Sequence, residues 1–458
     1  MDGEDILASS AFIPLPFRAL GLVGLGLLCW ATNLHILHLL GIDTASVLET
    51  RPEKLPLLVP SSPHPDSSHD SLSSSHRAAG PLYPAIYRLL CFYAAWVAAT
   101  YIIFKMAING DMKMMDRSRS IVTIASVGVL VGLFCPFNVI QKRERDIFLV
   151  ALRRCLFPSS SKPVYFCDVI LADIFTSFAK VLGDIWVSIN MLMPGGSLLM
   201  AAVDLHGWSE WMVPVLISLP FVIRFRQCIA EYSGSGYTNT RPLFNAIKYA
   251  SSFPVIFLSA MQKIVVADIK ATKGAEEALH TTWHGEHRIF RLWLLFLVIS
   301  SVYSFWWDVT NDWGLDLLRR KSDPLVALPS TNVTLNAPHR PQHPSPSYFH
   351  LQPNHPYGLR TPLLFGYPIL YYAAIILNLV LRFTWSMKLS PHLHTFAELE
   401  AGVFMVEACE LLRRWLWVFF RVEWEATKKG MVVQVGLGVE MVGGQREPLM
   451  IREESLLR

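Results

Sequence analysis

Long apolar runs, each near the length needed to cross a hydrocarbon layer, alternate along this chain with shorter polar stretches. They cover residues 17–40, 86–108, 120–140, 164–192, 208–224, 246–266, 289–308, 364–388 and 400–421. A helix needs about 20 apolar residues to span a bilayer. The pattern therefore predicts an all-α fold, a polytopic membrane helix bundle with about nine to ten transmembrane helices. A membrane barrel does not fit, because its strands alternate over only about 10 residues. The apolar segment from Phe148 to Phe157 is too short to span and is flanked by basic residues, which predicts a helix lying in the interface.

Polar side chains inside these runs recur at helical spacing. Ser301, Ser304, Asp308 and Asp312 fall on one face of the run that begins at 289, and Asp173, Ser177, Lys180 and Asp184 are separated by four, three and four residues. Asn245, Lys248, Tyr249 and Ser252 share a side, as do Asn378, Arg382 and Ser386. The last run carries Glu407, Glu410, Arg414, Trp417 and Arg421, with Arg413 adjacent. A central Arg, Lys or Asp costs at least about 2.5 kcal/mol on insertion scales, so stripes of this density need partners or water. Two readings follow: ion pairs that hold the bundle together, or cations that converge on an anion. Arg382, Arg413 and Arg414, with Lys248, suit the second, because the guanidinium fork matches the oxygens of phosphate or carboxylate. Arg421 and Glu423, near a helix end, read as interfacial.

Composition agrees with a membrane protein. Of 458 residues, 52% are hydrophobic and 17% charged, and the mean hydropathy is +0.36. A formal charge of +4 without a basic domain leaves no nucleic-acid footprint. Seven cysteines with no CxxC pair give neither a disulfide framework nor a metal site. No GxSxG or HExxH motif occurs, so neither an enzyme nor a cofactor is expected. The domains expected are a tail at 1–16, N-terminal membrane helices at 17–140 with a disordered loop at 51–85, a membrane domain at 141–425 with a disordered insertion at 322–361, and a cytosolic tail at 426–458. The 141–163 loop carries Lys142, Arg143, Arg145, Arg153, Arg154 and Lys162, which places it in the cytosol, and the C-terminal tail with it. Asn332, in NVT, matches a glycosylation acceptor and doubles as a test of that orientation.

Several motifs carry a family likeness: LADIFTSF (171–178), RFRQCIAEY (224–232), NAIKYASSF (245–253), YSFWWDVTNDWGL (303–315), LVLRFTW (379–385) and ELLRRWLWVFFRVEWE (410–425). In this order they resemble the EXS-domain family, which contains the eukaryotic phosphate exporters and a short fungal ER-retention-defective branch of the Golgi. The resemblance implies that phosphate is bound by Asp173, Lys248, Tyr249, Asp312, Arg382, Glu410, Arg413 and Arg414, and the stripe adds Asp308. Thr176 stands where the exporters have Asn, and its hydroxyl can still donate to a phosphate oxygen. The exporters carry a long cytosolic sensor domain ahead of the first helix, so the short N-terminus here resembles the fungal branch. That branch implies a Golgi membrane protein, with the endoplasmic reticulum as the alternative, returning luminal phosphate to the cytosol in support of glycosylation and of retention of Golgi and ER residents. The rival expectation is a non-transporting scaffold or sorting receptor that retains glycosyltransferases through its tail. The partners expected are inorganic phosphate, membrane lipids, and a cytosolic sorting adaptor or glycosyltransferases. A homodimer is left open.

Overall fold

The computed structural model describes residues 13–48, 81–109, 111, 113–158, 164–198, 208–273, 288–315, 317, 358–360, 362–384 and 400–429. Asn332, Ser386, most of both Pro- and Ser-rich stretches and nearly all of the C-terminal tail lie outside these residues. The described residues form helices joined by short loops, with no sheet. In chain order they are α1 (Leu15–Leu39), α2 (Thr44–Val47), α3 (Tyr83–Ile108), α4 (Lys113–Arg117), α5 (Arg119–Phe134), α6 (Lys142–Leu156) and α7 (Phe166–Ser177). There follow α8 (Ala179–Leu192), α9 (Trp208–Gly234), α10 (Arg241–Ala250), α11 (Ser252–Lys273), α12 (Arg288–Trp307) with a π-helical turn at Asp308–Asp312, α13 (Pro368–Arg382) and α14 (Glu400–Lys429).

Among the described residues, five stretches are long and apolar enough to cross a membrane: Leu15–Leu39, Tyr83–Ile108, Trp211–Gly234, Arg241–Gln262 and Arg288–Asp312. The other expected spans take different forms. Arg119–Phe134 and Pro368–Arg382 are apolar but shorter. The run at 164–192 is divided at Phe178 into α7 and α8. The final run forms a 30-residue helix, α14, that carries many charges.

That helix is the central post of the bundle, packing against α1, α7, α13 and the π turn. Trp313, Tyr371, Trp417 and Phe420 are buried around it, with the Trp313 and Phe420 rings 4.8 Å apart. The sidedness predicted for α12 holds, because Ser301, Ser304, Asp308 and Asp312 are buried while Leu295, Ile299, Val302 and Trp306 are exposed. The polar face turns inward and the apolar face outward, as a membrane helix with protein on one side requires.

Glu423 is not interfacial. It is fully buried, accepts hydrogen bonds from the Tyr371 hydroxyl and from the Leu364 amide at 2.8 Å, and lies 2.6 Å from Arg360 Nη2. The cation that neutralises it comes from the last residues of the Pro-, Ser- and His-rich stretch, where Leu359 and Arg360 are buried. Arg421 pairs with Glu425 at 3.1 Å and lies over the Phe166 ring.

The short amphipathic helix expected near 148–157 is α6, and two of its arginines fasten it. Arg145 is buried and donates to the carbonyls of Gly132 at 2.5 Å, Cys135 at 3.0 Å and Val139 at 2.9 Å. A helix leaves its last carbonyls without intrahelical partners, and Arg145 supplies those of α5 and the turn beyond it. Arg154 forms a two-pronged pair with Asp168 at 2.7 and 2.6 Å, and those hydrogen bonds raise the guanidinium's pKa above its ordinary value. Arg145→Met is expected to lower unfolding free energy by at least about 1–3 kcal/mol, the cost of one stranded buried polar group. Thermal melting of the purified protein beside Arg145→Lys measures it; equal melting of wild type and Arg145→Met would refute the capping role.

Candidate functional site

Several departures from regular helix meet beside α14. Phe178 separates α7 from α8, and Ser251 separates α10 from α11. The helix α12 widens into its π turn, closed by the Trp313 amide donating to the Asp308 carbonyl at 2.9 Å. The fourth, α13, stops at Arg382. In membrane proteins, interrupted helices persist where protein or a water-filled cavity satisfies the freed backbone, and they often bound ion sites.

Every candidate from the sequence stands at one of these interruptions or on the adjoining turns of α14. Lys248, from α10, reaches both carboxylates of the π turn, its Nζ lying 3.3 Å from Asp312 Oδ2 and 3.9 Å from Asp308 Oδ1. Asp308 also pairs with Arg382 Nη2 and lies 3.6 Å from Arg413 Nη1. Asp173 accepts from the Tyr249 hydroxyl at 2.5 Å. Arg414 donates to the hydroxyls of Thr176 at 2.9 Å and Ser177 at 3.0 Å, with its guanidinium over the Trp417 ring. Arg413 holds Glu410 through bonds of 2.8 and 2.5 Å. Glu410 in turn accepts from Ser177 at 2.8 Å. Asp173, Thr176, Lys248, Tyr249, Asp308, Asp312, Arg382, Glu410, Arg413 and Arg414 thus form one cluster.

Sequence reasoning missed Arg224. Its Nε donates to Asp173 Oδ1 at 2.9 Å, its Nη1 donates to Gln227 at 2.6 Å, and it is buried. The apolar run ending at residue 224 left this arginine at a boundary, whereas α9 continues to Gly234. An arginine directly after an apolar run, followed by a helix-compatible RQCIAEY, was the available signal.

Spare hydrogen-bonding capacity remains in the cluster. Among the described residues, Arg382 Nε and Arg413 Nη1 are buried without a hydrogen-bond partner. Desolvated donors without acceptors are costly, and a bound oxyanion would satisfy them. A cavity of about 220 Å³ adjoins the cluster, lined by Asp173, Arg224, Asn245, Asp312, Arg421 and Glu425 among others. Beyond Glu410, Lys180 pairs with Asp184 and lies 3.6 Å from Glu407. Polar groups therefore follow α14 from Glu425 to Glu407, a rise of about 27 Å at 1.5 Å per residue, close to the ~30 Å hydrocarbon thickness.

Fold and site together define an all-helical membrane protein built around a buried, cation-rich ion network. Residues 13–427 match the EXS family, and the chain belongs to it. It is 27% identical over 419 residues to Protein ERD1 homolog 2 of Schizosaccharomyces pombe, covering 90% of this chain and 96% of that protein. It is 25% identical to Protein ERD1 of Saccharomyces cerevisiae, with 90% and 93% covered. Against Phosphate transporter PHO1 homolog 9 of Arabidopsis thaliana it is 26% identical, over 69% of this chain and 34% of the plant protein.

Proposed function

We propose that this protein carries inorganic phosphate across the Golgi membrane, from lumen to cytosol, through the polar file along α14. The observation that carries the reading is the cluster itself. Arg224, Lys248, Arg382, Arg413 and Arg414 outnumber Asp173, Asp308, Asp312 and Glu410 by one, and Arg382 and Arg413 keep donors that make no hydrogen bond. One excess positive charge suits a small oxyanion, while the carboxylates compete with it and allow release, which conduction requires. The plant relative's name, a phosphate transporter, supports phosphate as the anion. Likeness to the ERD1 proteins supports the short fungal branch and hence the Golgi membrane, with retention of glycosylation enzymes following from phosphate return. In this reading α5, α13 and α14 also cross, and the divided pairs α7–α8 and α10–α11 each cross as one unit, in keeping with about nine to ten crossings.

The test is phosphate flux into vesicles carrying the purified protein, with sulfate as competitor. Arg382→Ala combined with Arg414→Ala should reduce flux at least about tenfold, since hydrogen bonds to charged groups contribute about 1.5–3 kcal/mol each. Flux unchanged in that variant would remove the site. Deleting residues 430–458 separates transport from tail-mediated sorting: a transporter keeps its flux.

A further inference from the structure

A second space lies behind the ion cluster. It has a volume of about 1090 Å³ and runs between α3 and α5 on one side and α1, α7, α8 and α14 on the other. Trp30, Trp96, Phe148 and Phe175 are among its walls, and nearly all of its lining is apolar. Water does not fill apolar space of this kind, and an empty cleft forfeits dispersion contacts over its whole lining. Some apolar guest belongs there.

Three polar features narrow the guest. Asn33 is on the wall, only 2% exposed, and among the described residues its carboxamide oxygen is buried without a hydrogen-bond partner. The two arginines that touch the cleft are committed elsewhere, Arg145 to backbone carbonyls and Arg414 to Thr176 and Ser177. The remaining charged group on the lining is the carboxylate of Glu144, so the lining sets no arginine aside for an anionic headgroup, both being already directed at carbonyls or hydroxyls. The space therefore asks for an uncharged, bulky apolar molecule with one hydroxyl to donate. An acyl chain of a phospholipid brings no donor, whereas a sterol brings one hydroxyl on a rigid ring system. Asn33 is six residues before Leu39, where α1 ends, or about 9 Å along the helix.

We infer that the cleft between α1, α3, α5, α7 and α14 is a sterol site, with the sterol hydroxyl donating to Asn33. The sterol also buttresses the ion cluster, because α7 and α14 face the cleft with Phe175 and Val418 and the cluster with Thr176 and Arg413.

Photolabelling of the purified full chain in vesicles with a diazirine-bearing cholesterol, mapped by peptide mass spectrometry, tests the inference. Adducts are expected on the α1, α3 and α5 walls, displaced by excess cholesterol. Asn33→Leu should weaken labelling about fivefold, the factor one net hydrogen bond supplies. Gly132→Phe should abolish it: a side chain there enters open space, so the fold survives, and an unchanged melting temperature verifies this. Labelling that ignores both substitutions overturns the inference. So does equal labelling of the same peptides by a diazirine phosphatidylcholine that cholesterol does not displace.

Discussion

Asp308→Asn is expected to melt well below the wild type in phosphate-free buffer and to recover most of the difference when phosphate is added in excess. Asp308 is 1% exposed and answers three cations: Arg382 by direct pairing, Arg413 at 3.6 Å and Lys248 at 3.9 Å. Removing one partner of a buried ion pair costs about 3–5 kcal/mol, because the remaining charge is left uncompensated. Asparagine keeps the size and discards the charge, so the loss is electrostatic more than steric. Phosphate bound to the folded state alone would return about 2.7 kcal/mol at 100 times its dissociation constant. In the wild type the same anion must displace Asp308, and its stabilising effect is smaller. The variant's half-saturating phosphate concentration should fall together with its maximal flux, since a guest without a competitor leaves slowly. Melting curves with phosphate, sulfate and chloride give the comparison; an identical phosphate response in both proteins would mean that Asp308 does not face the anion.

How much of this was legible in the sequence depends on distance along the chain. The inward face of α12 was legible, because serine and aspartate recur there at helical period and a lipid-facing stripe of Ile299, Val302 and Trp306 accompanies them. Convergence of Lys248, Asp312, Arg382 and Arg414 was legible as a requirement, since no one of these groups can stay in a bilayer alone. Partner identity was not. Glu423 finds Arg360, and Thr32 accepts from the Trp415 indole at 3.0 Å across most of the chain; no local rule specifies such pairs. The break at Phe178 was hidden as well, because FAKVL contains neither proline nor glycine and continues a helical pattern smoothly. A tertiary contact marks the place: Gly26 on α1 approaches the Phe178 ring so closely that an added Cβ would lie 2.4 Å from it. The π turn escaped for a similar reason, since its residues DVTND are compatible with an ordinary helical turn and only the Trp313 amide bond to Asp308 reveals the wider one.

Arg224, the residue that sequence reasoning missed, yields the second large effect through its pair with Asp173. Arg224→Met should destabilise the protein by about 3–5 kcal/mol, although it replaces a charged side chain by an apolar one inside a membrane bundle. Arg224 and Asp173 are 3% and 2% exposed and joined at 2.9 Å. Once Arg224 is gone, Asp173 keeps the Tyr249 hydroxyl at 2.5 Å, a neutral donor, and is left to the charges of Arg414 and Lys248, neither of which is in a direct ion pair with it. Arg224→Met with Asp173→Asn removes both charges and should regain most of the loss, since a buried pair replaced as a unit is often near neutral. A double-mutant cycle on melting free energies measures the coupling, expected at about 3 kcal/mol or more, the top of the range for residues in one network. Additive losses would show that the two charges act separately. Flux distinguishes a structural pair from part of the path. If Asp173 and Arg224 line the route, as their place on the wall of the adjoining cavity suggests, the double variant folds and still transports poorly. If they only brace α7 against α9, flux returns with stability.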